Sequence, residues 1–340
     1  MNLPSLRKGT SATVELVPQF GMDGTLLAVV IIKEAFHVDR RNRVHRVGGA
    51  VVHPVDVPWD EGKPETSSIR FPSDVCVRKP ATDVVVVGSA VAAYRIRRRQ
   101  LDVTVRVGEL QRVVRVFGTR VWYAGAFGWT LSDPLEFEEV PMRWELAWGG
   151  ADFTEGSPPL EEARNPVGRG LARDPATLEH QPGPQIEDPD DLIATHRTRP
   201  APAGLAAIGR HWLPRRKYTG TVDDLWLRER MPLPPADFDD RFNLVAAPGL
   251  RAERYLRGGE PVLVHNMCEQ GPLEFELPRL HFFAGAKVGQ ALRERPVVLD
   301  TVTLVPNERR VELTWRAALP MPRHAHAVDF IQVHEKARFT

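Results

Sequence analysis

The chain has 340 residues, 42% of them hydrophobic, with 45 basic and 44 acidic side chains and a formal net charge of +1. That length and apolar content supply a core for one large domain or two of ordinary size. The balanced charge gives no whole-molecule field that would recruit nucleic acid or an anionic membrane.

The N-terminus, MNLPSLRKGTSATVEL, lacks the apolar segment of a secretory signal, so a cytoplasmic location is expected. Residues 26–32 form the longest clean apolar run, far below the roughly 20 residues of a membrane-spanning helix, and read as a strand. Runs rich in β-branched residues at 13–16, 26–36 and 44–52 are separated by the turn compositions 21–24 and 39–42, which predicts an antiparallel meander. Four valines, 84–87, suggest a strand buried on both faces, closed by a turn at Gly88-Ser89. No histidine or acid is spaced to make Ser89 a nucleophile. The basic run Arg95-Ile-Arg97-Arg98-Arg99 has only Tyr94 as an aromatic neighbour and reads as a solvated turn, not a nucleic-acid surface. Residues 101–107 alternate apolar and polar, and Gly108-Glu109 turns the chain back into 110–117, with a bulge expected at Val113-Val114.

The middle of the chain changes character. Sixteen of the 30 prolines lie between Pro134 and Pro248, so this stretch is irregular backbone, because proline has no backbone donor and breaks strand and helix interiors. It nevertheless holds Trp144, Trp148, Trp212, Tyr218, Trp226 and Phe242, too many aromatic side chains for a disordered linker. Its best helix follows Thr221, expected as the cap with Asp224 returning the bond, and ends at Pro232. A weaker helix candidate spans 284–295, interrupted by Gly285 and Gly289. Segments 297–305 and 310–319 flank Pro306-Asn-Glu-Arg309 as a hairpin, with Val311, Leu313 and Trp315 on one face. Each end of the chain thus carries a long apolar strand, a tight charged turn and a return strand, the pattern an internal duplication would leave. The expected fold is mainly β: antiparallel β-sandwich-like lobes at 1–130 and 256–340, joined by an irregular, proline-rich segment at 131–255, with few short helices.

Cys76 and Cys268 are distant in sequence and outside any CxxC pair, and in a chain expected to stay in the cytoplasm they read as thiols. No phosphate loop occurs, and Gly168-Arg-Gly170 follows Asn165-Pro166 where a dinucleotide site needs a strand. His334-Glu335 lacks the second histidine of a zinc-protease helix and reads as an exposed tail, and His324 with His326 lack a third ligand. The acidic groups at 187–191 and 237–240 lack the glycine and glutamate of a calcium loop and read as turn caps. Neither a catalytic set, a metal site nor a cofactor site is expected.

Several phrases, in order, carry a resemblance: Phe71-Pro-Ser-Asp74, Lys79-Pro-Ala-Thr-Asp83, Arg115-Val-Phe-Gly118, Pro141-Met-Arg143-Trp144-Glu145 with Trp148-Gly-Gly150, and Asn165-Pro166-Val-Gly168-Arg169-Gly170. Tyr218-Thr-Gly-Thr221 with Trp226-Leu-Arg228, Pro232 to Asp239, Tyr255-Leu-Arg-Gly258, Leu299-Asp-Thr301 and Leu313-Thr-Trp315-Arg316 follow. Over roughly residues 20 to 320 the chain resembles the bacterial family catalogued as domain of unknown function 2169, effector adaptors or chaperones of type VI secretion. The resemblance implies a non-enzymatic cytoplasmic protein that holds a toxic effector and helps load it onto a VgrG or PAAR spike protein. Where the family often has Phe-Gly-Gly, this chain has Trp148-Gly149-Gly150. The residues themselves leave open a hydrolase with a dispersed site and a carbohydrate-binding module. Partner anchors are expected at Trp144, Trp148, Trp212 and Tyr218, and Asn165, Pro166, Gly168 and Arg169 are expected to form a structural turn in which Gly168 supplies unusual backbone angles.

Overall fold

A computed structural model describes residues 4–126, 128–322 and 328–336. The first strands are β1 (Ser5–Gly9), β2 (Thr13–Phe20), β3 (Leu26–Val38) and the short β4 (Val44–Arg46). The valine run forms β5 (Asp83–Val86), followed by the hairpin β6 (Gln100–Val107) and β7 (Leu110–Phe117). From the middle comes only the short β8 (Ile186–Glu187) in the larger sheets. Then follow β9 (Pro261–His265), β10 (Leu273–Glu276), β11 (Phe282–Val288), β12 (Ala291–Pro296), β13 (Val298–Val305), β14 (Arg310–Pro320) and β15 (Phe330–Glu335). Among the described residues strands take 42% and helices 9%, so the protein is mainly β, and α1 (Leu213–Arg216) and α2 (Asp224–Glu229) are the two short α-helices there.

Three larger sheets form, and each draws strands from both ends of the chain. A six-stranded sheet runs β2-β3-β14-β13-β5, with β4 beside β3. A five-stranded sheet runs β8-β7-β6-β9-β10, and a four-stranded sheet runs β1-β15-β11-β12. The longest pairing is antiparallel, from Arg310 against His37 to Pro320 against Leu27. The segments 1–130 and 256–340 are therefore interleaved within shared sheets. The ends resemble each other because β3 and β14 are neighbouring central strands, each of which must be apolar. Within these three sheets the parallel pairs are β5 with β13 and β1 with β15, and the other pairs are antiparallel.

Core-facing Val30, Ile32, Val84, Val302, Leu313 and Trp315 of the six-stranded sheet belong to one cluster with Val103, Val105 and Val264 of the five-stranded sheet. Phe282, Ile331 and Val333 of the four-stranded sheet complete it. Phe282 packs edge-on to Trp315, with ring centroids 4.9 Å apart. A separate small core joins Trp122 of the first segment to Trp148, Leu178 and Ile193 of the middle segment.

Four local expectations change. Val113 and Val114 pair in regular register with Thr104 and Val103, and the irregularity lies between Leu299 and Thr301 instead. Val113 simply faces outward, half-buried, while Val114 is in the core. Residues 284–295 form the β11/β12 hairpin, with Gly289 at φ +56° in the turn. The α2 cap is Asp223, whose carboxylate accepts from Trp226 N at 2.8 Å, because Thr221 is engaged by Asp237. His334-Glu335 belongs to β15, held between β1 and β11, and is not a tail. Cys76 and Cys268 are free thiols. His324 and His326 lie outside the described residues.

Candidate partner-binding surface

The aromatic candidates of the middle segment divide sharply. Trp144 and Trp148 are 3% exposed and Trp212 is 1% exposed, so they present almost no area to a partner. Trp144 packs edge-on to Trp212 at 5.9 Å, and its indole N–H donates to the carbonyls of Ala206 and Ala207 at 3.1 Å. They are core residues because a proline-rich chain cannot hydrogen-bond itself into sheets and must be held by large side chains and their polar tips. Tyr218 alone is half-exposed, with Arg241 at 4.5 Å and Lys217 at 4.9 Å from its ring centre.

Asn165 explains the motif around it. Fully buried, it donates from Nδ2 to the carbonyls of Trp144 and Trp148 at 3.0 Å, while its main-chain carbonyl accepts from the backbone N–H groups of Gly150 and Gly168. Pro166 follows half-buried. Gly168 does not adopt a left-handed conformation, contrary to expectation. A Cβ there would lie 2.5 Å from Asn165 Nδ2, 2.8 Å from Ala147 O and 2.8 Å from Gly149 Cα. The glycine is required by crowding, and the positive φ values fall opposite it, at Gly149 (+147°) and Gly150 (+109°). Arg169 donates from Nε to the Glu145 carbonyl at 2.7 Å; burial, then Arg143, pulls its pKa below the usual guanidinium range. The Glu145 carboxylate accepts from Ser68 N and Ser68 Oγ, which fastens the knot to the 59–71 segment.

The outer face of the six-stranded sheet is charged yet covered. Lys33 lies 2.9 Å from Asp74 and 3.3 Å from Glu312, Lys79 lies 2.9 Å from Asp83, and Arg316 pairs with Asp300. All seven side chains are buried. Asp83 also accepts from Val245 N and Ala246 N, and Arg316 donates to the carbonyls of Asp74 and Cys76. Burial draws the Lys79 ammonium down, but Asp83 and Asp300 outweigh it and hold its pKa above the usual lysine range. The adjoining cavity, beside Cys76, Lys79 and Arg215, is about 20 Å³, room for a water and not for a substrate. This network clamps irregular chain onto the sheet, since a buried charge is tolerated only when paired and hydrogen-bonded.

A different surface is open. Around α2, Val222 (62%), Leu225 (54%), Leu227 (50%) and Met231 (59%) are exposed. Both ends of the segment are pinned: Asp237 accepts from Thr221 N and Oγ1 at 2.8 Å, and the Trp226 indole N–H donates to Leu233 O at 2.9 Å. Apolar side chains on a braced projection bind at low entropic cost, because the backbone is ordered beforehand.

Residues 23–316 match the family described as an uncharacterized protein conserved in bacteria, DUF2169. The chain belongs to the DUF2169 family. The matched span includes the clamp, the Asn165 knot and α2. No curated protein and no solved structure matches the DUF2169 chain. Among the described residues, no group of three or more His, Cys, Asp or Glu side chains is placed to hold a metal ion.

Sequence reasoning found the knot of this DUF2169 protein but missed the α2 surface. The available signal was apolar residues on all sides of a helix too short to bury them: Val222, Leu225, Leu227 and Met231 within ten positions. The clamp left a weaker one, since Lys33 and Glu34 interrupt an apolar strand and Arg316 follows Trp315.

Proposed function

We propose that this DUF2169 protein is a non-enzymatic cytoplasmic adaptor that binds a toxic type VI secretion effector and helps load it onto a VgrG or PAAR spike protein. The ordered motif resemblance supports the secretion role, and the exposed apolar side chains around α2 carry the binding role. Tryptophans that sequence alone offered as anchors serve instead to hold the scaffold together. In this reading the buried polar and aromatic groups of the chain serve rigidity, and recognition is left to Val222, Leu225, Leu227 and Met231, with Tyr218 nearby in sequence as a polar-tipped contact.

Co-expression with the effector encoded beside it tests the proposal. The adaptor is expected to raise the effector's soluble yield and to co-purify with it and with the spike protein. Failure to capture the effector contradicts the proposal, as does turnover of a carbohydrate or ester substrate by the purified adaptor alone.

A further inference from the structure

The edge of the four-stranded sheet offers a second, unrelated surface. Strand β12 is exposed along its whole length and, among the described residues, pairs only with β11, which leaves its other edge without a described strand. Cross-strand register sets its faces: Arg295 lies opposite Ala284 and Arg293 opposite Ala286, and Ala284 is wholly buried in the core. Arg293 and Arg295 therefore sit on the inward face. Glu294 is on the outward face, 3.4 Å from His334 Nδ1. Beneath the two arginines runs a cleft of about 550 Å³, floored by Leu319, Met321 and Val328, with no acidic residue among the described residues that line it. Among the described residues neither guanidinium has a hydrogen bond or a carboxylate partner.

We infer that this cleft receives an extended acidic polypeptide segment, which adds as a strand beside β12. Its backbone would take up the open hydrogen-bonding edge. Its inward side chains would set carboxylates against Arg293 and Arg295 and an apolar residue over Leu319, Met321 and Val328. A second copy of the chain is a poor occupant, because antiparallel pairing of two β12 strands brings arginine against arginine. Inward charges on an edge strand also discourage promiscuous pairing, and here they turn that protection into selectivity for negative segments. The inference does not depend on the adaptor reading or on α2.

Fluorescence anisotropy with the full chain tests it, using a short labelled peptide alternating glutamate and valine, its lysine–valine counterpart, and dodecanoate. The glutamate peptide is expected to bind, and to bind less tightly as salt rises. The double variant Arg293→Glu, Arg295→Glu is expected to lose roughly tenfold or more for that peptide and to gain the lysine peptide, with an unchanged melting temperature. A glutamate peptide N-methylated on alternate amides is expected to fail. The inference is overturned if the glutamate peptide does not bind, binds equally to the double variant, or tolerates N-methylation. Binding of dodecanoate alone also overturns it, and assigns the cleft to a small carboxylate.

Discussion

Asn165 and Gly168 show how one buried amide and one missing methyl fix a segment with little regular structure. A Cβ at Gly168 meets a side-chain amide, a backbone carbonyl and another glycine's Cα, all within 2.8 Å, and two of those three are backbone. Gly168→Val is expected to cost on the order of 3 kcal/mol, read as a lowered denaturation midpoint with an unchanged slope. A variant of wild-type stability contradicts the crowding account. The turn was legible in the residues Asn165-Pro166-Val-Gly168, but its cause was not, because packing across the chain leaves no trace in local spacing. His53 supplies a pH dependence. Stacked on Phe71 at 5.1 Å, it is held below the usual 6.5 by burial and then by Lys33, against the pull of Asp74 and Glu312. The folded protein thus binds fewer protons than the unfolded chain as pH falls below 6.5, and stability is lost down to the folded-state pKa. His53→Gln is expected to flatten that part of the melting temperature against pH curve; an identical slope in both proteins counts against it.

At the scale of elements, period-two alternation located β6 and β7, whose outer faces are partly exposed, whereas β13 and β14, buried on both faces, were located by the turn at Pro306 to Arg309 between them. It failed for β11 and β12. Arg293, Arg295 and Lys287 blur the alternation on a hairpin open to solvent, so Gly285 and Gly289 read as interruptions of a helix when Gly289 is the turn. The α2 helix was found, but Asp237, sixteen residues downstream, takes Thr221 and leaves the cap to Asp223. Asp223→Ala is expected to destabilise α2 by about 1 kcal/mol. Because α2 carries the exposed leucines, faster amide hydrogen exchange should appear at 224–229 together with weaker effector capture. Unchanged exchange there removes Asp223 from the account.

At the scale of the molecule, sequence supplied a mainly β chain with an ordered irregular middle, but not the interleaving of its ends. Pairing of β3 with β14 joins residues nearly a chain length apart, and nothing local distinguishes such neighbours from two separate hairpins. Interleaving also explains why the large aromatic side chains are internal: the middle segment is bound to the sheets by Trp144 in the shared core and by Asp83, which accepts from Val245 and Ala246, so the recognition surface proposed above is what projects beyond them. Calorimetric titration of a type VI effector, of the kind proposed above as partner, into wild type and into the Leu225→Asp, Leu227→Asp variant tests this most directly. The account predicts a saturable complex with wild type and at least a roughly tenfold loss in the variant at an unchanged melting temperature, since truncated interface anchors typically cost about 2 kcal/mol. Equal binding by both proteins, or no complex with wild type, would contradict it.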